Sequence, residues 1–371
     1  VKRYSKDDLW CMDRGSGLFA GLNVLPKTAW FSSYSDRVSR EMNLDFLQRL
    51  HKIWYSNGLL PDTWNLDFTA IPYRGDEEPM ENNWSGKRGK ALASMLAVLA
   101  ESPDSGLIDY GDTTLVHENQ DAVVLEFLDF YKKSAPRAEL QYLVFDSKFT
   151  NYENLAKLDK NQVHFITIRR RGKNILEEIE VIPPKEWKQV RVDCAGGKKR
   201  NLKVNDRKVY LSGYKKEIRQ IIIQSHGREK PALIITNDFT IKTTEVILKY
   251  CHRWLVEKTI SEQIEFFHLN RLSSSMVIKV DFDLTMSILA YNLYRLFAGE
   301  TGKYANLTAP KIFDKLISNS GMVKVNEDTI EIIMKKKRSM PVLLSLLKKF
   351  DHLNYPWLHY KHLRFQGATT L

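Results

Sequence analysis

The chain has 371 residues, 43% of them apolar and 27% charged. At about 150 residues per domain, that length fits two to three domains or one domain with an insertion, and the composition excludes a largely disordered chain. Fifty-six basic against 45 acidic side chains leave a formal net charge of +11, a surplus that points to a polyanionic partner, of which nucleic acid is the commonest. No apolar run reaches the ~20 residues that span a bilayer, so an integral membrane protein is not expected. Cys11, Cys194 and Cys251 lie far apart and form no Cys-x-x-Cys pair. They give neither a disulfide framework nor a structural zinc site, and they suit a reducing cytoplasm. The chain starts at Val1 with no initiator Met and no secretory leader pattern, which is consistent with a fragment or a processed form.

Residues 1–60 read as helical, with Phe46, Leu47, Leu50, Ile53 and Trp54 at helical spacing. Turn chemistry follows at Asn57-Gly58 and Pro61-Asp62. Residues 64–72 form a β-branched, apolar strand pattern that carries one acid, Asp67. Residues 74–90 are polar and read as a loop. Two further strands are expected over 94–100 and 106–115. Residues 119–133 show helical spacing, with Asn119 placed to cap the start. Residues 142–146 are a short buried strand ending in Asp146, 151–160 a short helix, and 164–169 a strand running into Arg169, Arg170 and Arg171. The alternation over 173–236 reads as a β-rich insertion. A long helical pattern then runs from 244 to about 270, and the last hundred residues read as mostly helical with an aromatic, basic tail.

This order predicts an α/β fold in which a mixed sheet carries flanking helices. It resembles the ribonuclease H-like order, in which the first and fourth strands are neighbours and Asp67 and Asp146 come side by side. Two such carboxylates repel unless a cation lies between them. A third acid, Glu257, shares one helical face with Tyr250 and Arg253. Glu262 falls far around that helix, and Glu265 lies closer in angle and stays open as an alternative. Three oxygen ligands without cysteine suit Mg²⁺ or Mn²⁺. Two such ions ~3.5–4 Å apart clamp an in-line displacement at phosphorus.

Together these residues resemble the DDE transposases of bacterial insertion sequences, in the branch marked by the signature Tyr-x-x-Arg-x-x-x-Glu-x6-Lys. Tyr250, Arg253 and Glu257 match its first three positions. Leu66-Asp67-Phe68-Thr69 matches the first-Asp segment, and Phe145-Asp146-Ser147-Lys148-Phe149 the second. The resemblance covers roughly residues 60–298. It implies Asp67, Asp146 and Glu257 as catalytic ligands of Mg²⁺ or Mn²⁺, two ions in all, with Tyr250 and Arg253 on DNA phosphates. The signature lysine would fall where this chain has Ile264. His268 and Arg271, further along the same helical face, are the candidates to replace it. In that context Arg169, Arg170 and Arg171, with Lys198, Lys199 and Arg200, are expected on the DNA backbone.

The domain plan is a helical N-terminal region over 1–60, for end binding or dimerisation, and a first core part over 61–172. A β-rich insertion over 173–240, a second core part over 241–298 and a helical basic region over 299–371 follow. The resemblance implies cut-and-paste transposition of double-stranded DNA by a homodimer assembled on it, in a bacterial or archaeal cytoplasm at the nucleoid. Two rivals remain at this level: a nuclease with the same core that never joins ends, and a non-catalytic DNA-binding derivative. Trp187 is an ordinary amphipathic tryptophan or a stacking platform for a flipped base. His359 and His362 have helical spacing without a third ligand and read as surface histidines.

Overall fold

The computed structural model describes residues 10–72, 80–85, 89–193, 199–227, 229–268 and 277–368. In chain order they form α1 (Arg14–Phe19), α2 (Thr28–Tyr34), α3 (Arg40–Ser56), β1 (Thr63–Pro72), β2 (Asn82–Ser85), β3 (Lys90–Glu101) and β4 (Ile108–Leu115). Next come α4 (Val123–Ser134), β5 (Tyr142–Phe145), α5 (Tyr152–Lys160), β6 (His164–Ile168), α6 (Lys173–Glu180), β7 (Lys188–Asp193), β8 (Lys199–Leu211), β9 (Lys216–Gln224) and β10 (Ala232–Thr236). The remainder is α7 (Thr243–His252), α8 (Trp254–Glu265), α9 (Val277–Glu300), α10 (Ala309–Ile312), β11 (Gly321–Val325), β12 (Thr329–Met334), α11 (Met340–Leu347) and β13 (His362–Gly367). They divide into two units, residues 41–261 and residues 1–40 with 262–371. No described helix is long and apolar enough to cross a membrane.

The 41–261 unit is built on a ten-stranded mixed sheet in the order β2-β3-β1-β5-β6-β10-β9-β8-β7, with β4 also paired to β3. β1, β5 and β6 run parallel, and β3 and β10 flank them antiparallel. A parallel pair needs a crossover, and α4 with its flanking loops and α5 supply those connections. Side chains alternate between the two faces of a strand. Ile221 and Ile223 of β9 therefore join Val144, Ile166, Ile234, Val246 and Ile247 on the α7 face. Ile222 packs oppositely, with Leu233 and with Ile179 of α6. Each such buried side chain contributes about 1.5–3 kcal/mol. At the other end of the sheet Trp64, Phe127, Tyr131 and Tyr110 fill the core. There His51 of α3 is hydrogen-bonded to Asp109 of β4, both side chains fully buried. Burial raises the Asp109 carboxyl, against the pull of His51.

Several local expectations change. Asn82–Ser85 is a strand within the stretch read as a loop, because it pairs with the N-terminal extension of β3 at residues 90–93. Asn119 does not cap α4; its side-chain oxygen accepts the Val116 N–H at 3.0 Å and closes the turn before the helix. The β-rich stretch opens with a helix, α6, whose Ile179 packs on the sheet, and its strands extend the one large sheet. The C-terminal hundred residues are partly sheet.

In the unit of residues 1–40 and 262–371, α9 is tied to the N-terminal helices by a Lys279–Asp36 pair at 3.0 Å and by the Tyr34 and Phe282 rings. The strands β11-β12-β13 make a three-stranded sheet. One face of it packs Ile330 and Leu363 on Leu358. Pro356 and left-handed backbone at His359 and Tyr360 interrupt any helix there, so His359 and His362 are exposed residues of a turn and a strand.

The turn that launches α7 is a polar knot. Asp238 accepts the Thr240 N–H and hydroxyl, both at 2.7 Å, and the Tyr142 hydroxyl. Arg219 forks onto Asp206 at 3.0 and 2.7 Å and donates to the Ile241 carbonyl at 2.6 Å. Burial pushes the Asp238 carboxyl up, but the Tyr142 and Thr240 donors outweigh it and hold the group at about 2, below its ordinary 3.8. A depressed folded value means that this stabilisation is present above about pH 4 and lost as the pH falls through about 2. Asp238→Ala is therefore expected to cost about 1.5–3 kcal/mol at pH 7 in urea denaturation. The gap to wild type should close between about pH 4 and pH 2.

Candidate active site

β1 and β5 pair in parallel with Leu66 opposite Phe145. Asp67 and Asp146 are the next residues on each, so the backbone sets them level on neighbouring strands. Both belong to the face that α7 covers, since Thr63 and Asn65 of β1 pair with Tyr142 and Val144. The Asp67 Oδ1 accepts its neighbour's Phe68 N–H at 2.8 Å. Asp146 caps a single helical turn at Ser147–Phe149, with its Oδ1 on the Ser147 N–H at 2.6 Å. The rings of Phe68 and Phe149 stack at 3.9 Å with 6° between planes. That stack joins the residue after Asp67 to the turn after Asp146.

The expected long helix is two helices, α7 and α8, meeting at Arg253. Arg253 keeps right-handed helical angles, φ −53° and ψ −35°, but the junction is wound more tightly. The Arg253 N–H bonds the Tyr250 carbonyl at 3.2 Å and the Val256 N–H bonds the Arg253 carbonyl at 3.0 Å, an i→i+3 pattern. The His252 carbonyl accepts the Asn65 side-chain amide instead, at 3.3 Å. Lys249 donates to the Thr63 hydroxyl at 3.2 Å and lies over the Tyr142 ring at 4.4 Å. On α8, Thr259 donates to Glu101 of β3 at 2.7 Å.

These anchors aim Arg253 at the carboxylates. Its Nη1 donates to Asp67 Oδ2 at 2.5 Å and its Nη2 to Glu257 Oε1 at 3.2 Å. The side chains of Arg253 and Asp67 are each 13% exposed, whereas Glu257 is 60% exposed. Burial raises Asp67 to about 6; Arg253 opposes it, and Glu257 and Asp146 add to it. Arg253 is raised above its ordinary value because Asp67, Tyr250, Asp146 and Glu257 together outweigh burial, which would lower it. The Tyr250 hydroxyl is pushed up to about 12, by burial first and by Asp146 and Asp67 against Arg253. Its ring lies 5.7 Å from the Arg253 guanidinium. Asp67, Asp146, Tyr250, Arg253 and Glu257 thus share one electrostatic neighbourhood.

Among the described residues, no group of three or more His, Cys, Asp or Glu side chains is gathered closely enough to hold a metal ion. A guanidinium lies between Asp67 and Glu257 instead. The donor chemistry still fits a hard divalent cation, since the available donors are carboxylate oxygens and the buried one is already cation-bound.

The other expected residues are more scattered. Arg169 sits at the carboxyl end of β6, half-buried, and bonds Gln220 at 2.6 Å. Arg170 is exposed, and Arg171, also exposed, bonds the Pro231 carbonyl at 2.9 Å. Lys199 pairs with Asp193 at 3.6 Å and Arg200 bonds the His226 carbonyl at 3.3 Å, both on the exposed start of β8. Arg271 and Lys198 lie outside the described residues. His268 follows α8 in left-handed backbone, φ 61°, and belongs to the second unit. Glu262 accepts the Ala309 N–H at 3.0 Å. Trp187 packs against the α6 cluster with Lys203 over its ring at 4.9 Å. Motif reasoning does not single out Asn65, and it quotes Phe149 within the second-Asp segment without a role. The face-sharing of Asn65 with Asp67, at i and i+2, was the available signal for it.

A family model described as the transposase DDE domain matches residues 65–293, more than half of the chain. The chain is also similar to a solved structure of the piggyBac transposase in a synaptic complex with hairpin DNA, at 12% identity and a TM-score of 0.40. That match covers 81% of this chain and 56% of the other, so the chain spans little more than half of its length. No curated protein matches the chain.

Phe149 is fully buried in its stack. Phe149→Ala is expected to lower stability by about 3–5 kcal/mol, read as a shift in the urea midpoint.

Proposed function

We propose that this chain, which belongs to the transposase DDE domain family, is a DNA transposase of the insertion-sequence type. On this reading it cuts at transposon ends and transfers the freed 3′ end into target DNA. The observation that carries the reading is the β1–β5 register, which sets Asp67 and Asp146 level under Arg253 and Glu257. The parallel β1-β5-β6 block with antiparallel β3 supports a ribonuclease H-like core, and Tyr250, Arg253 and Glu257 support the Tyr-Arg-Glu-Lys branch.

Asp67, Asp146 and Glu257 would hold the metal. A pair of Mg²⁺ or Mn²⁺ ions, when bound, supplies activation of the attacking oxygen and charge relief at the leaving oxygen. The chain's own part is positioning. The sheet fixes the two aspartates, and Tyr250 and Arg253 present a hydroxyl and a guanidinium to a DNA phosphate. Arg169, Arg170, Arg171, Lys199 and Arg200, with Lys198, His268 and Arg271, supply further basic contacts to the backbone. Two ends must be joined, so the acting form is a homodimer on DNA, at the nucleoid of a bacterial or archaeal cytoplasm.

The test uses the full chain, Mg²⁺ and duplexes taken from the DNA flanking its gene. Wild type should nick an end and join a pre-cut 3′-hydroxyl end to a target plasmid. Asp67→Asn, Asp146→Asn and Glu257→Gln should each lower both steps at least about 10²-fold while keeping the gel shift with the end duplex. Unchanged cleavage in Asp146→Asn would overturn the reading. Ile264 at the signature lysine position favours a second reading, a DNA-binding derivative of impaired activity. A wild-type gel shift without cleavage would select it.

A further inference from the structure

We infer that the Arg253 guanidinium is the resident counter-cation of the carboxylate cluster, and that a divalent cation gains Asp67 and Glu257 only by displacing it. The inference rests on the reading above, in which those carboxylates hold the metal.

Asp67 is nearly enclosed, and a buried carboxylate needs a paired charge or a proton. Arg253 gives it one at 2.5 Å and spends its second amino group on Glu257 at 3.2 Å. A guanidinium fork usually grips one carboxylate with both prongs. Here it is split across two acids that come from a strand and a helix, which is the bridging geometry of a cation ligated by both. The cluster has three carboxylates and one arginine, so a 2+ ion in place of a 1+ group lowers the remaining repulsion. That difference gives the divalent ion its advantage in the exchange.

The exchange needs no backbone movement. Asn65 and the tight i→i+3 bonds hold the Arg253 main chain at the α7–α8 junction, and the side chain turns on its own flexible stem. The Tyr250 ring already lies 5.7 Å from the guanidinium and can keep a cation–π contact with it once it leaves the carboxylates. A DNA phosphate is a better destination, because an arginine matches it with two parallel bonds. Phosphate and metal then help one another: DNA draws Arg253 off the aspartate, the metal takes its place, and linkage makes the effect reciprocal. A chain without DNA holds its catalytic acids neutralised and binds metal weakly, which restrains cutting away from an end.

Mn²⁺ binding to the full chain without DNA, read by the electron spin resonance of free Mn²⁺, tests this directly. Arg253→Gln should bind Mn²⁺ about tenfold or more tightly than wild type, within the ordinary range of coupling between sites. Arg253→Lys, a point charge that reaches one carboxylate at a time, should fall between them and covers the case in which the glutamine variant fails to fold. Adding end duplex should tighten Mn²⁺ binding in wild type and much less in Arg253→Gln. If both Arg253 variants bind Mn²⁺ no better than wild type while Asp67→Asn abolishes binding, the counter-cation role is wrong and the metal reading stands. If no protein binds Mn²⁺ saturably, or Asp67→Asn binds as wild type does, the metal reading itself fails and takes this inference with it.

Discussion

A carboxylate placed in the middle of an apolar strand is the constraint from which the arrangement around it follows. Asp67 lies on β1 between buried Leu66 and half-buried Phe68, and burial, with Glu257 and Asp146 adding and Arg253 and the Phe68 N–H opposing, leaves its carboxyl raised to about 6. A sequence that only had to fold would place an apolar residue there. Keeping an acid in that position obliges the surroundings to supply a positive charge, and the chain supplies Arg253 from 186 residues away in sequence. The contact is therefore also a tertiary tie. It fixes the helix pair α7–α8 against the central strands, and with it the place of Glu257.

β1 holds that helix pair at three successive inward positions. Thr63 receives Lys249, Asn65 receives nothing but gives its amide to the His252 carbonyl, and Asp67 receives Arg253. Thr63 to Asp67 spans about 13 Å of strand, whereas Lys249 to Arg253 is about one helical turn, so the long Lys249 and Arg253 side chains make up the difference. The tight i→i+3 winding at Arg253 falls where the third contact is made. It also frees a carbonyl, and Asn65 is the residue that satisfies it.

Much of this was legible in the residues. The succession of strands and helices follows from alternation and turn chemistry, the pairing of the first strand with the fourth is what the ribonuclease H-like resemblance implies, and Asp67 sits in an apolar strand where an unpaired acid is costly. The Tyr250, Arg253 and Glu257 spacing predicts one helical face, and Arg253 bonds Glu257 and lies 5.7 Å from the Tyr250 ring. What escaped was cooperative in origin. Asn82–Ser85 has no apolar alternation, and only its pairing with β3 makes it a strand. β11, β12 and β13 draw their stability from one another and from Leu358, across gaps that no local window spans. The carbonyl freed at the helix break is met by Asn65, 187 residues distant from His252. Likewise, spacing puts Arg253 on one face with Glu257, but only side-chain geometry reveals that it also bonds Asp67.

The three acids differ in how firmly they are held, and that difference matters for what the cluster can do. Asp67 and Asp146 each take a backbone N–H from the following residue, at 2.8 and 2.6 Å, so their orientation is set by the strands. Glu257 is 60% exposed and its described bond is the 3.2 Å contact to Arg253. Its long side chain loses little on exchanging one partner for another, whereas the aspartates could not turn without breaking strand-end structure. On the metal-binding reading proposed above, two fixed oxygens and one adjustable one would close around cations whose positions the fixed pair dictates. The adjustable side chain must then be kept from wandering beforehand. Arg253 meets that need with the same guanidinium that pairs with Asp67, so order and charge balance among these acids depend on one side chain.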